Sequence, residues 1–130
     1  MDYTILPSLI VSVTRLQLID DNLAVIRREI NCINDQLAKT AEALKYAKYD
    51  YDVLNKLEKI LAEISTRDQT ISSAILSLLG ILELRDSPTV QQALLDGGIP
   101  RVLTKHTAGL KIAFIHKVSH KPLLEVDLRF

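Results

Sequence analysis

A chain of 130 residues with 48% apolar and 25% charged side chains can bury one core, or build a rod with a small cap, and is too hydrophobic to stay unfolded. Its formal net charge of +0 argues against a nucleic-acid coat, and its single cysteine, Cys32, excludes an internal disulfide and fits a reducing compartment. With two Phe, four Tyr and no Trp, any core must be aliphatic.

At the start, Met1, Asp2 and Tyr3 offer no basic stretch of the kind that opens a secretory signal, so the expected location is intracellular. Residues 8–79 then contain neither proline nor glycine. Through most of that stretch Leu9, Leu16, Leu23, Ile30, Leu37, Leu44 and Tyr51 fall seven apart, with Ile19, Ile26, Ile33, Ala47 and Leu54 three residues behind. That spacing predicts a long helical region, from about Thr4 to Glu83, burying a seam against other helices. As one rod it would be about 120 Å long. Left in water, each Leu or Ile of the seam would cost about 1.5 to 3 kcal/mol, so a partner is required.

Two points invite a break. Asp20, Asp21 and Asn22 compete for main-chain hydrogen bonds, and Ser65 to Gln69 place Thr66 and Gln69 in capping-box spacing. After Leu54 the stripe also changes phase, continuing through Leu57, Leu61, Ile64, Ile71, Ile75, Leu78 and Leu82, which overwinds a continuous coil or marks a change of partner surface. Leu at the first seam position with Ile at the second favours a trimer or tetramer of parallel helices; an antiparallel bundle within one chain escapes that rule. A second stripe, Val11, Leu18, Val25 and Cys32, predicts that the stretch from Leu9 to Ile33 is buried on two sides. The uncharged run from Gln69 to Leu82 is shorter than the roughly 20 residues a membrane helix needs, and reads as core.

Beyond residue 84 the punctuation sharpens. Ser87 as N-cap, Pro88 in the first turn and Gly97 with Gly98 after Asp96 frame a short helix bearing Val90, Ala93, Leu94 and Leu95. Pro100 to Leu103 reads as a connector with a single helical turn. Alternation of Leu124, Val126, Leu128 and Phe130 with Glu125, Asp127 and Arg129 predicts a half-buried strand, hairpinned through Ser119 to Pro122 with Leu110 to Val118.

Chemistry is sparse. His116 and His120 lie four apart, but in a strand and loop rather than on a helix, so no metal is expected. There is no nucleophile elbow, no phosphate-binding glycine loop and no basic neighbour for Cys32, so neither catalysis nor a cofactor is expected. Residues 97–130 carry a charge of +4 against −4 for residues 1–96, with Arg101, Lys105, Lys111, Lys117 and Lys121 as the candidate contacts for an acidic partner.

The sequence thus predicts a mainly α protein: a long oligomerising coiled-coil or helical-bundle region over 1–84, and a cap of one small helix plus a β-hairpin over 85–130. Its expected function is a non-enzymatic scaffold. The seam of Leu9, Leu16, Ile19, Leu23, Ile26, Ile30, Ile33, Leu37, Leu44, Tyr51 and Leu54 would self-associate, and the cap would dock a second protein. The alternative is an oligomeric nucleic-acid- or polymerase-associated cofactor that multiplies a weak basic contact through its copies.

Overall fold

A computed structural model describes residues 6–14, 16–46, 51–106 and 109–130. In chain order the elements are β1 (Ser8–Ser12), α1 (Gln17–Tyr46), α2 (Tyr51–Ile81), α3 (Pro88–Leu95), β2 (Gly98–His106), β3 (Gly109–His116) and β4 (Pro122–Arg129). The architecture is mixed α/β, three helices and a four-stranded mixed sheet among the described residues, which overturns the expected long coiled-coil bundle with a small cap. The four strands form one sheet in the order β1-β4-β3-β2, with β1 parallel to β4 and the other pairs antiparallel.

The error begins at the first residue of the supposed seam. Leu9 and Val11 alternate with Ser8, Ile10 and Ser12, a strand pattern of period two whose inward residues happen to start the seven-residue series. β-branched Ile10 and Val11 favour that strand, and the helix begins only at Gln17. Neither polar cluster breaks a helix. Asp20 sits in the first turn of α1, where its charge meets the helix dipole, and Asn22 bonds back to the Leu18 carbonyl. Thr66 and Thr70 bond back to the carbonyls of Ala62 and Thr66 within an unbroken α2. Pro100 to Leu103 belong to β2 rather than to a helical turn, because proline is tolerated on the edge strand of a sheet.

α1 and α2 run antiparallel, as the contacts of Glu29 with Arg67 and of Gln36 with Glu63 require. α2 ends in a Schellman motif. Glu83 takes a left-handed φ of 60°, its N–H donates to Gly80, and Leu84 N–H donates to the Leu79 carbonyl. α3 starts at Ser87 and Pro88 as expected, although the Ser87 hydroxyl makes no capping bond. At the step from α3 into β2 the chain passes so close to itself that a Cβ on Gly98 would lie 2.7 Å from the Ala93 carbonyl oxygen.

One hydrophobic core joins the layers. Ile19, Leu23 and Ile26 of α1 and Ile71, Ile75, Leu78 and Leu79 of α2 meet Leu110, Ile112 and Phe114 of β3 and Leu124, Val126 and Leu128 of β4. Both sides of the turn near residue 84 contribute to it. The second stripe is not buried as expected: Leu18 is exposed and Val25 and Cys32 are only half-buried, since a single layer of helix lies on the sheet and no further layer covers that side among the described residues.

Candidate interaction surface

The helical hairpin has two halves. Residues up to Ile33 in α1 and from Ile71 in α2 reach the core, while among the described residues none between 34 and 70 is buried. This distal half is an arm of two helices. A pair of helices can bury only one strip of each, and here the strips are Gln36 and Thr40 of α1 against Val53, Leu57, Ile60 and Ile64 of α2, all half-buried.

Two polar groups compromise that strip. The Gln36 amide nitrogen donates to Glu63, but its Oε1 is buried with no partner among the described residues. Thr40 spends its hydroxyl on the Gln36 carbonyl, 2.8 Å away in its own helix. At the base of the arm, Arg67 Nη1 donates to Glu29 at 2.9 Å, and this bond raises the guanidinium pKa above its ordinary value. Glu29 is itself 8% exposed, the one charged residue buried among those described.

Turning Gln36 and Thr40 inward leaves the seam leucines outside. Leu37, Leu44, Leu54 and Leu61 are 41% to 61% exposed, and Tyr51 is 77% exposed. Leu37 and Leu44 are seven apart on α1, as are Leu54 and Leu61 on α2, so each pair shares one side of its helix. The pairing of residue 36 with 63 puts Leu37 level with Leu61 and Leu44 level with Leu54. At 100° per residue from the mutually facing residues, all four leucines fall on the same face of the arm. It is the face on which the sheet covers Ile19, Leu23 and Ile26 further down α1.

Where the covered and bare parts meet lies a groove of about 320 Å³. Ile30, Ile33 and Ile71 wall it from the helices and Val102 and Leu103 from β2, with Asn34, Asp68 and Arg101 supplying polar atoms.

The expected seam residues therefore divide. Leu9 points inward from β1, half-buried; Ile19, Leu23 and Ile26 are closed off by this chain's own sheet and α2; Ile30 and Ile33 line the groove. Leu16, before α1, and Leu37, Leu44, Tyr51 and Leu54 on the arm are open. Leu61, which the phase change after Leu54 set aside, completes the face; only the antiparallel pairing of the helices reveals it.

The basic residues are not brought onto one surface. Arg101 is half-buried and donates to Ser72 Oγ and, at 3.2 Å, to the Pro100 carbonyl. Lys111 lies 3.5 Å from Glu125 on the open face of the sheet, where Arg129 similarly pairs with Asp127 at 3.3 Å. Lys117 and Lys121 are exposed around the β3–β4 turn, and the Lys105 side chain lies outside the described residues. His116 organises that turn: its Nδ1 accepts from Val118 N–H at 3.2 Å and Ser119 N–H at 3.0 Å.

Among the described residues no group of three or more His, Cys, Asp or Glu could hold a metal ion, and no helix is long and apolar enough to cross a membrane. Comparison with protein-family models, with curated proteins and with solved structures finds no match.

Proposed function

We propose that the protein is a non-catalytic self-association module whose arms pair face to face into an antiparallel four-helix bundle, holding one sheet domain at each end. The observation that carries this reading is the bare leucine face, with Leu37 level with Leu61 and Leu44 level with Leu54. Such a face matches itself under a two-fold axis: Leu37 lies over Leu44 of the second copy, and Leu54 over Leu61. The antiparallel sense follows from the sheet, which stands on this same face at the base of the arm. A parallel stack would drive the two sheets together, whereas reversing one arm sets each sheet beyond the other's tip. From residue 34 to residue 46 the arm is about 20 Å long, a contact in the small, transient class, so pairing depends on concentration. The biological role that follows is scaffolding, in which copy number and spacing are set by the arm.

Cysteine cross-linking tests both the pairing and its sense. In a Cys32→Ser background, the Leu37→Cys and Leu44→Cys variants are mixed and oxidised at several concentrations. Disulfide formation needs Cα atoms within about 7 Å, so the mixed 37–44 dimer should dominate over either homodimer and grow with concentration. A link that is absent at every concentration overturns the proposal, as does preferential linkage of Leu37→Cys to Leu61→Cys, the parallel arrangement.

A further inference from the structure

The two edges of the sheet are treated differently. The β2 edge is guarded: Pro100 has no N–H to offer, its carbonyl accepts from Ser72 Oγ of α2 at 3.2 Å, and a register shift interrupts the strand between Val102 and Thr104. The β1 edge has none of these. Ser8–Ser12 contains no charge and no proline, and no strand lies beyond it among the described residues.

The register says which groups are open. Glu125 N–H donates to the Pro7 carbonyl at 2.9 Å and Val13 N–H to the Arg129 carbonyl at 2.7 Å. In a parallel ladder alternate residues bond to the same neighbour, so Leu9 and Val11 also turn their main-chain groups to β4. Ser8, Ile10 and Ser12 turn theirs away. Their side chains face outward too, and Ile10 is 62% exposed on the side of the sheet without helices.

The strand reads Ser-Leu-Ile-Val-Ser, nearly the same in both directions about Ile10. We infer that β1 is a second, independent self-association site, pairing antiparallel with β1 of another copy about a two-fold axis at Ile10. Ser8 then faces Ser12 of the other copy, Leu9 faces Val11, and Ile10 faces Ile10. Because the open residues are the even ones, each of Ser8, Ile10 and Ser12 both donates and accepts in the new ladder. Leu9 and Val11 stay on the inner face and extend the core, while the two Ile10 side chains cover each other outside. The product is one continuous sheet, β2-β3-β4-β1 joined to its mirror order. The occupant is a second copy because this register satisfies main chain, inner face and outer face together, without any residue from elsewhere. Arm and edge use different residues, so a copy engaging both has two neighbours and assembly proceeds beyond the dimer.

Amide hydrogen exchange in the Leu44→Asp/Leu61→Asp variant, whose arm route is disabled, isolates the edge. At micromolar concentration the amides of Leu9 and Val11 are protected by β4 and those of Ser8, Ile10 and Ser12 exchange freely. At millimolar concentration the second group should slow by about tenfold or more while the first is unchanged. Ile10→Lys and Ile10→Glu, both at an exposed position that leaves the fold intact, should each lose this protection, and an equimolar mixture should regain it. The inference is overturned by free exchange at Ser8, Ile10 and Ser12 at every concentration, or by protection there independent of concentration, which means this chain covers its own edge. It is also overturned by protection indifferent to the charge at position 10, which means another occupant or register.

Discussion

The base of the helical hairpin and its arm carry the same stripe of leucine and isoleucine to different ends. At the base, Ile19, Leu23 and Ile26 are at most 2% exposed under the sheet, while further along α1 Leu37 and Leu44 stand open. Nothing in the local spacing separates them; what differs is how far the sheet reaches. A heptad stripe states that an apolar face needs cover, and the length of the covering layer decides whether the same chain or another supplies it.

Substitutions that remove the base should break the comparison outright. Phe114→Ala, at a fully buried site facing the helices, is expected to cost about 3 to 5 kcal/mol in denaturant unfolding. A loss comparable to a surface substitution would mean the base is no better packed than the arm. The arm's weakness can be repaired. Gln36→Leu removes the buried, unpartnered Oε1 from the helix interface and should stabilise by about 1 kcal/mol. Glu83→Gly, which relieves a left-handed residue at the α2 terminus, should add up to about 1 kcal/mol without touching either half. Leu44→Asp/Leu61→Asp should change monomer stability by only about 0.5 kcal/mol per site, since both positions are exposed, and should act on association alone.

The Glu29–Arg67 bond at the boundary makes a pH prediction. A raised cationic pKa gives stability that is present below the ordinary guanidinium value and lost only as pH climbs through the still higher folded value. The stability difference between the wild type and Arg67→Met, followed by thermal unfolding, should therefore show no contribution from Arg67 titration across neutral pH.

Several features were legible in the residues. The alternation from Leu124 onward lies in β4, which ends at Arg129, the run from Leu110 overlaps β3, which ends at His116 rather than Val118, and the Ser87, Pro88 and Gly97 punctuation frames α3. β1 was hidden because its inward Leu9 coincides with the heptad series, and five residues are too few for a period of two to stand out beside so long a helical pattern. β2 was hidden by Pro100, whose usual meaning is a break and whose meaning here is a guarded edge. Of the arm's face, Leu37, Leu44 and Leu54 follow from spacing, but Leu61 joins them only through the antiparallel pairing, which is a tertiary fact. The even-numbered edge of β1 likewise requires the register to β4.

The bare leucine face is tested most directly by sedimentation equilibrium over a wide concentration range, comparing the wild type with Leu44→Asp/Leu61→Asp. The wild-type average mass should rise above the 14.6 kDa monomer toward the dimer and beyond, and the variant's curve should fall clearly below it at every concentration where the wild type associates. Superimposed curves, or a wild type that remains at the monomer mass throughout, would contradict the account.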